Sequence, residues 1–267
     1  MDRKPAVAGR FYPGTEKSLR KELKRLLSTD KTPRKAICAI APHAGYIYSG
    51  GIAGEVFSSV EVPSCCIILS PNHTGIGAKA ALMTKGSWTI PTGRIPVNEE
   101  ISTKLLSLCN DLKDDSSAHL EEHSLEVQLP FLLARQPGLT IVPITISHIN
   151  FSACSKIAEA IAELIDSRDE NILIVASTDM NHYEDQTHTL EKDRLAIERV
   201  VSLDPNGLLS TCAEKQISMC GVVPTAIAIS ASKKLGASSV TLIDHKTSGD
   251  ISGDYNAVVG YAGFIIE

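Results

Sequence analysis

No run of about 18 or more apolar residues occurs in the chain, so no membrane-spanning helix is expected. The opening stretch "MDRKPAVAGRFYPG" has no apolar core of the kind a secretory signal needs. Positive charge is in short supply. With 26 Lys and Arg against 31 Asp and Glu, the net charge is -5, and no basic face for nucleic acid is expected. The seven cysteines, Cys38, Cys65, Cys66, Cys109, Cys154, Cys212 and Cys220, are odd in number and contain no CxxC pair. Most sit in apolar stretches such as "AICAIA" and "SCCIIL". They read as reduced, buried thiols of a cytoplasmic protein and not as a disulfide framework. In a strand, adjacent Cys65 and Cys66 point to opposite faces and make no redox pair.

Several catalytic signatures are also missing. There is no GxxxxGK[ST] phosphate loop and no GxSxG elbow, and "GGIAGE" and "GIGAKA" are too slight for a dinucleotide site. The spacing in "HLEEHSLEVQLPFLLA" is not HExxH. No internal repeat or Pro/Ser-rich linker divides the 267 residues, so one domain over residues 1–267 is expected.

What is present is an alternation of apolar runs and helical patterns. The runs 36–41, 65–70, 139–146, 171–177, 240–244 and 257–266 read as strands. "CCIILS" and "NILIVAS" are apolar throughout, as strands covered on both faces are. "GTEKSLRKELKRLLS", "SLEVQLPFLLAR", "SACSKIAEAIAELID" and "TLEKDRLAIERVVS" read as helices between them. This predicts an α/β domain with a central parallel or mixed sheet flanked by helices on both faces. "ALMTKGSWTIPTGRIPV" reads as a hairpin-like strand pair that would make the sheet mixed. "CNDLKDDSSAHLEEH" reads as a surface loop entering a helix, and "KTSGDISGDYNAVVG" as a polar loop before the last strand.

Sites in such sheets form beyond the carboxyl ends of strands. Listing those ends collects His43 from "APHAGYIYSGG", His73 from "SPNHTGIG", and Asp179 and His182 from "STDMNHY". Alone, each histidine is an ordinary loop residue, and His43 and His73 stand beside strand-ending prolines. Together they occupy one topological position three times. Two neutral imidazoles and one anionic ligand hold a divalent metal with positions left open, and a further histidine can serve as acid or base. The anionic ligand is open among Asp179, Glu122, Asp244 and Cys220. Cys220 precedes an apolar helical pattern, where the helix dipole favours a thiolate. Glu122 and His123 stand before a helix start, as caps or as partners orienting a metal-bound histidine. His148 is a weaker candidate for the same pocket. Tyr46 and Tyr48, beside His43, read as pocket or packing residues. "AVAGRFYPG", with Arg10 and Tyr12, is placed to cross it.

The set "AVAGRFYPG", "APHAGYIYSG", "SPNHTG", "EEHSLEVQLPFL", "STDMNHY" and "MCG" resembles the Memo family, also called AmmeMemoRadiSam system protein B, over nearly the whole chain. The resemblance implies a fold similar to class III extradiol ring-cleaving dioxygenases. It implies that His43, His73 and Cys220 match the pocket's metal-site residues, with His182 opposite and Asp179 its acidic neighbour. A cysteine in place of the dioxygenase carboxylate argues against carrying over ring cleavage. It favours a redox metal, Fe(II) or copper, with zinc behind. The family name implies a link to a radical-SAM protein. Two readings follow: a metal-dependent oxidoreductase, or a non-catalytic protein binding a peptide or small ligand on a former enzyme scaffold. A zinc hydrolase ranks last, because no oxyanion or leaving-group apparatus is visible.

Overall fold

Apolar runs that end in Pro, Gly and His become parallel strands whose loops gather at one edge. The computed structural model describes residues 2–267. In chain order its elements are β1 (Asp2–Arg3), α1 (Glu16–Leu26), β2 (Cys38–Ala41), α2 (Tyr46–Ser59), β3 (Cys65–Pro71), β4 (Ala80–Leu82), β5 (Ser87–Ile90), β6 (Gly93–Pro96), α3 (Glu99–Leu108), β7 (Lys113–Asp114), α4 (Leu129–Arg135), β8 (Thr140–Ile146), α5 (Phe151–Asp166), β9 (Ile172–Ser177), β10 (His182–Glu184), α6 (Gln186–Val201), α7 (Pro205–Glu214), α8 (Val222–Lys234), β11 (Val240–Thr247), α9 (Gly249–Ser252) and β12 (Val258–Ile266). Among the described residues no helix is long and apolar enough to cross a membrane.

The central sheet runs β10-β12-β2-β9-β3-β8-β4-β7, with β11 also on β12. β2, β9, β3 and β8 are mutually parallel. β12 and β4 run against them, which makes the sheet mixed. The "ALMTKGSWTIPTGRIPV" stretch splits. β4 joins the main sheet, while β5 and β6 form a hairpin that leaves it and pairs with β1. The antiparallel character therefore comes from β4 and β12, and the hairpin lies outside the main sheet.

Period-two alternation sorts the strands into two cores. Cys38, Ile40, Cys65, Ile67 and Ile174 face one helical layer, which includes α5 and α8. Ala39, Cys66, Ile68, Leu173 and Val175 face the other, with Leu19 and Leu23 of α1 and Phe57 of α2. Cys65 and Cys66 do point to opposite faces. Each fully buried Leu, Ile or Phe contributes roughly 1.5–3 kcal/mol by leaving water.

The local pattern hid α2, α3 and α7. α3 and α7 are announced by caps: Asn98 accepts from the Ile101 amide and Asp204 from the Gly207 amide. α2 reads as a glycine-rich loop because Gly50, Gly51 and Gly54 interrupt it. Packing explains Gly54. A Cβ there would lie 2.3 Å from the Leu26 carbonyl oxygen, where α2 crosses the end of α1.

Gly54→Ala should therefore destabilise the fold by about 1–3 kcal/mol through overpacking. Gly51→Ala, where an added Cβ meets nothing within 4 Å, should stabilise it by about 0.5–1 kcal/mol through helix propensity. Urea denaturation of the two variants reads both signs.

Candidate metal centre

β2, β9 and β3 lie side by side, with Ala41 opposite Ser177 and Leu69 opposite Ala176. Their carboxyl ends deliver His43, Asp179 and His73 to one place. β10 brings His182, and the turn before α8 brings Cys220. All five line a cavity of about 680 Å³, together with His123 and Phe11. His148 lies instead in an adjoining cleft. Phe11 packs on the His123 ring, at 4.7 Å between centroids, so the N-terminal segment does reach the cavity. It does so through Phe11. Tyr12 turns inward to Glu126.

Hydrogen-bond counting fixes the state of the imidazoles. The Ser177 hydroxyl donates to the Ser124 carbonyl at 2.7 Å. It accepts from the Gln128 amide nitrogen at 2.8 Å, and that nitrogen also donates to the Pro42 carbonyl at 2.9 Å, which sets the amide's orientation. With its one proton used, the hydroxyl must accept from His43 Nδ1, 2.9 Å away. His43 Nε2 is therefore bare and faces the Cys220 sulfur at 3.3 Å. His73 donates from its backbone N–H and from Nδ1 to the Glu122 carboxylate, at 2.6 and 2.9 Å. His182 Nδ1 donates to the Ser218 carbonyl at 2.9 Å. The His43, His73 and His182 rings thus each commit Nδ1 to a partner behind them, which leaves Nε2 as the atom each would offer a metal, as metal-binding histidines do. Ligand atoms of His43, His73 and His123 all lie within 4.8 Å of one another.

The electrostatics agree. Burial, with the neighbouring His123 and His73, holds the 2%-exposed His43 well below the ordinary imidazole range. Burial also lowers His123 and His182. Neutral rings are the form a metal binds. Burial would raise Glu122, but the bonds from His73 and Ser124 outweigh it and bring it to about 2. Burial lifts Asp179 to about 7, against amide bonds from His43 and Ala44. Cys220 departs from its expected thiolate character. Burial and the Asp179 carboxylate push the thiol up, outweighing the helix terminus. A cation between the rings would reverse that balance, since a coordinating thiol is deprotonated.

The loop behind the site is built around two carboxylates. The stretch 109–123, expected to lie on the surface, buries His119 and Glu122 completely, as Ser124 and Glu126 just after it are buried. Arg3 donates to the His119 carbonyl, the Glu122 carbonyl and the Glu126 carboxylate at 2.6, 2.7 and 2.6 Å. Glu126 also takes the Ala6 and Val7 amides and the Tyr12 hydroxyl. Of the two readings for Glu122, cap or orienting partner, the bonds to the His73 amide and ring supply the contact that the second requires. The sequence reading missed Arg3, Glu126, Gln128 and Ser177 as supports and His123 as a member of the cluster. The one local signal was the density of polar groups in "EEHSLEVQ".

The family model described as Memo-like protein matches residues 3–265. The chain belongs to the Memo family. MEMO1 family proteins of Methanopyrus kandleri and Thermotoga neapolitana are each 40% identical to it, over alignments covering 100% of this chain and 99% and 100% of theirs. A crystal structure of an uncharacterized protein from Escherichia coli K12 superposes with a TM-score of 0.56 at 14% identity, covering 86% of this chain and 100% of that one. That likeness concerns fold alone. The α/β architecture and the convergent histidines are thus those of a Memo family member.

His119 offers a test of this buried polar layer. Its ring is fully buried, bonded through Nδ1 to Thr145 at 3.0 Å, and burial lowers its pKa from 6.5 to about 4. A depressed imidazole contributes stability that is fully present above pH 6.5 and lost as pH falls toward 4. At pH 5 the loss from this ring should be about 2 kcal/mol. His119→Gln should flatten the difference in urea stability between pH 7 and pH 5 by that amount. An unchanged difference would show that the ring protonates freely when folded.

Proposed function

We propose that the cavity is a redox metal centre, with iron or copper held by His43 and His73 and by the Cys220 thiolate, and with His123 completing or replacing the third position. The observation that carries this reading is the convergence of imidazole nitrogens whose opposite Nδ1 atoms are already committed in His43 and His73. The donor set fits. Borderline nitrogen with soft sulfur suits copper or iron, and zinc binds the same set without redox chemistry. Iron or copper bound there would supply one-electron chemistry to a small molecule or peptide in the cavity.

The chain's own groups have defined parts in this reading. Glu122 and Ser177 hold the two rings in register. His182, neutral and bare at Nε2, accepts a proton from the ligand, and the Ser218 carbonyl steadies its other nitrogen. Asp179, poised near neutrality, is the second proton carrier, 3.9 Å from His43. The free cysteines support a reducing, cytoplasmic setting, and the motif resemblance supports a pathway shared with a radical-SAM protein. One observation favours the alternative of a metal-free binding protein: the Cys220 thiol and His43 satisfy each other directly.

Metal content decides between them. Untagged protein prepared without oxygen should carry close to one iron or copper per chain, lost in His43→Ala. Glu122→Gln should weaken metal affinity about 10–100-fold. Cobalt substitution should give a thiolate-to-metal charge-transfer band that disappears in Cys220→Ser. A site without that band that loses cobalt in His123→Ala would move the third ligand to His123. Protein that takes up no iron, copper or zinc would leave the binding-protein reading.

A further inference from the structure

A second cleft of about 1200 Å³ opens beside the histidine cavity and shares His73, Ser218 and Cys220 with it. The segment after β8 forms one wall, and α7 and the start of α8 form the other. Its body is apolar, lined by Ile146, Ile149, Leu209, Ile217, Met219 and Val223. Its charge is one-sided. Among the described residues no aspartate or glutamate lines it, although the chain holds 31 of them, while Lys79 and His148 do line it. The ion-paired lysines are Lys31, Lys156, Lys192, Lys234 and Lys246, so Lys79 has no such partner among the described residues. The Asp115 carboxylate nearby is committed to the Ala78 amide at 2.7 Å and the Ser117 hydroxyl at 2.6 Å.

Sheet topology supplies a ruler. His73 follows β3, His148 follows β8 and Lys79 precedes β4, and these strands are neighbours in that order. Because β4 is antiparallel, with Ala80 opposite Ile146, its first residue lies at the carboxyl end of β8. The Ser147 amide bonds the Lys79 carbonyl at 2.7 Å. Two strand spacings put Lys79 about 10 Å from His73 along the row of strand ends.

We propose that this cleft seats the body of the substrate as an elongated amphipathic anion. Its carboxylate or phosphate sits at Lys79 and His148, its apolar body lies over Ile146, Leu209 and Val223, and its other end reaches the histidine cavity about 10 Å away. The apolar walls reward burial of a hydrocarbon body. The unpartnered ammonium, in a cleft without acids, selects the anion. Only the placement of the reactive end rests on the metal reading.

Isothermal titration of the full chain, with its metal content measured, tests this with octanoate, octyl phosphate, octanol and acetate as probes. The octyl anions should bind about tenfold or more tightly than octanol or acetate. Lys79→Ala, at an exposed position, should abolish the preference for anions and leave octanol binding unchanged. Leu209→Trp should weaken every octyl probe about tenfold by filling the cleft. Metal per chain should be the same in both variants. The tighter of octanoate and octyl phosphate identifies the headgroup. The proposal is overturned if no octyl probe binds, if octanoate and octanol bind alike, or if octanoate binding survives Lys79→Ala, as it would for a carboxylate bound at the metal. Any of these with metal intact leaves the metal reading standing. Selective octyl-anion binding by a protein without metal would do the reverse.

Discussion

A buried carboxylate is costly unless every oxygen finds a donor, and the site depends on two such carboxylates in one loop. Glu126 is neutralised by Arg3 and capped by the Ala6 and Val7 amides and the Tyr12 hydroxyl. Glu122 is matched by the His73 ring, the His73 amide and Ser124. Removing Arg3 would leave the Glu126 charge uncompensated, and removing a neutral donor would leave a carboxylate oxygen short of a hydrogen bond, in a medium that cannot solvate it. The N-terminal segment, the loop and the end of β3 therefore hold together as one body. Arg3, whose guanidinium also lies 4.0 Å over the Trp88 ring, is the member common to both halves.

Rigidity behind the site shapes its chemistry. With Ser177 and Gln128 placing a proton on His43 Nδ1, and Glu122 engaging His73 Nδ1, both rings are fixed at the cavity wall before anything binds. Little ordering entropy therefore remains to be lost, and only the Cys220 thiol must give up a proton to become a ligand. Asp179 and Cys220 lie on the other side of the balance. Burial raises both: the Cys220 thiol keeps its proton, and Asp179, at about 7, is divided between its two forms near neutrality. A cavity with imidazoles on one wall and a thiol and a carboxyl of raised pKa on another can take in a cation and release protons, or exchange protons with a ligand.

The same edge of the sheet also organises the neighbouring cleft. The parallel run of β2, β9, β3 and β8 delivers a polar group at each carboxyl end, and antiparallel β4 returns Lys79 to that edge. Polar chemistry is concentrated toward β2 and β9. Apolar surface and lone positive charge lie toward β8 and β4. The gradient follows from strand order, since each strand contributes its own loop.

The sequence by itself determined the α/β class, most of the strands and the strand-end positions of His43 and His73, because each is written in local pattern: apolar runs, helical stripes and breaks at proline. His182 opens a strand of its own, β10, that the pattern did not announce. The sequence also placed Cys65 and Cys66 on opposite faces, through the two-residue period. It could not determine α2, because helical glycines read as a loop until the close approach of Leu26 to Gly54 is known. It could not determine that Arg3 meets Glu126, 123 positions away, or that a charged loop turns inward. Nor could it assign the protonated nitrogen of His43, which depends on Ser177 and Gln128 sharing one proton network. Local patterns record what each segment buries. Tertiary structure alone decided which buried charges compensate one another, because those partners come together only when distant strand ends are packed side by side.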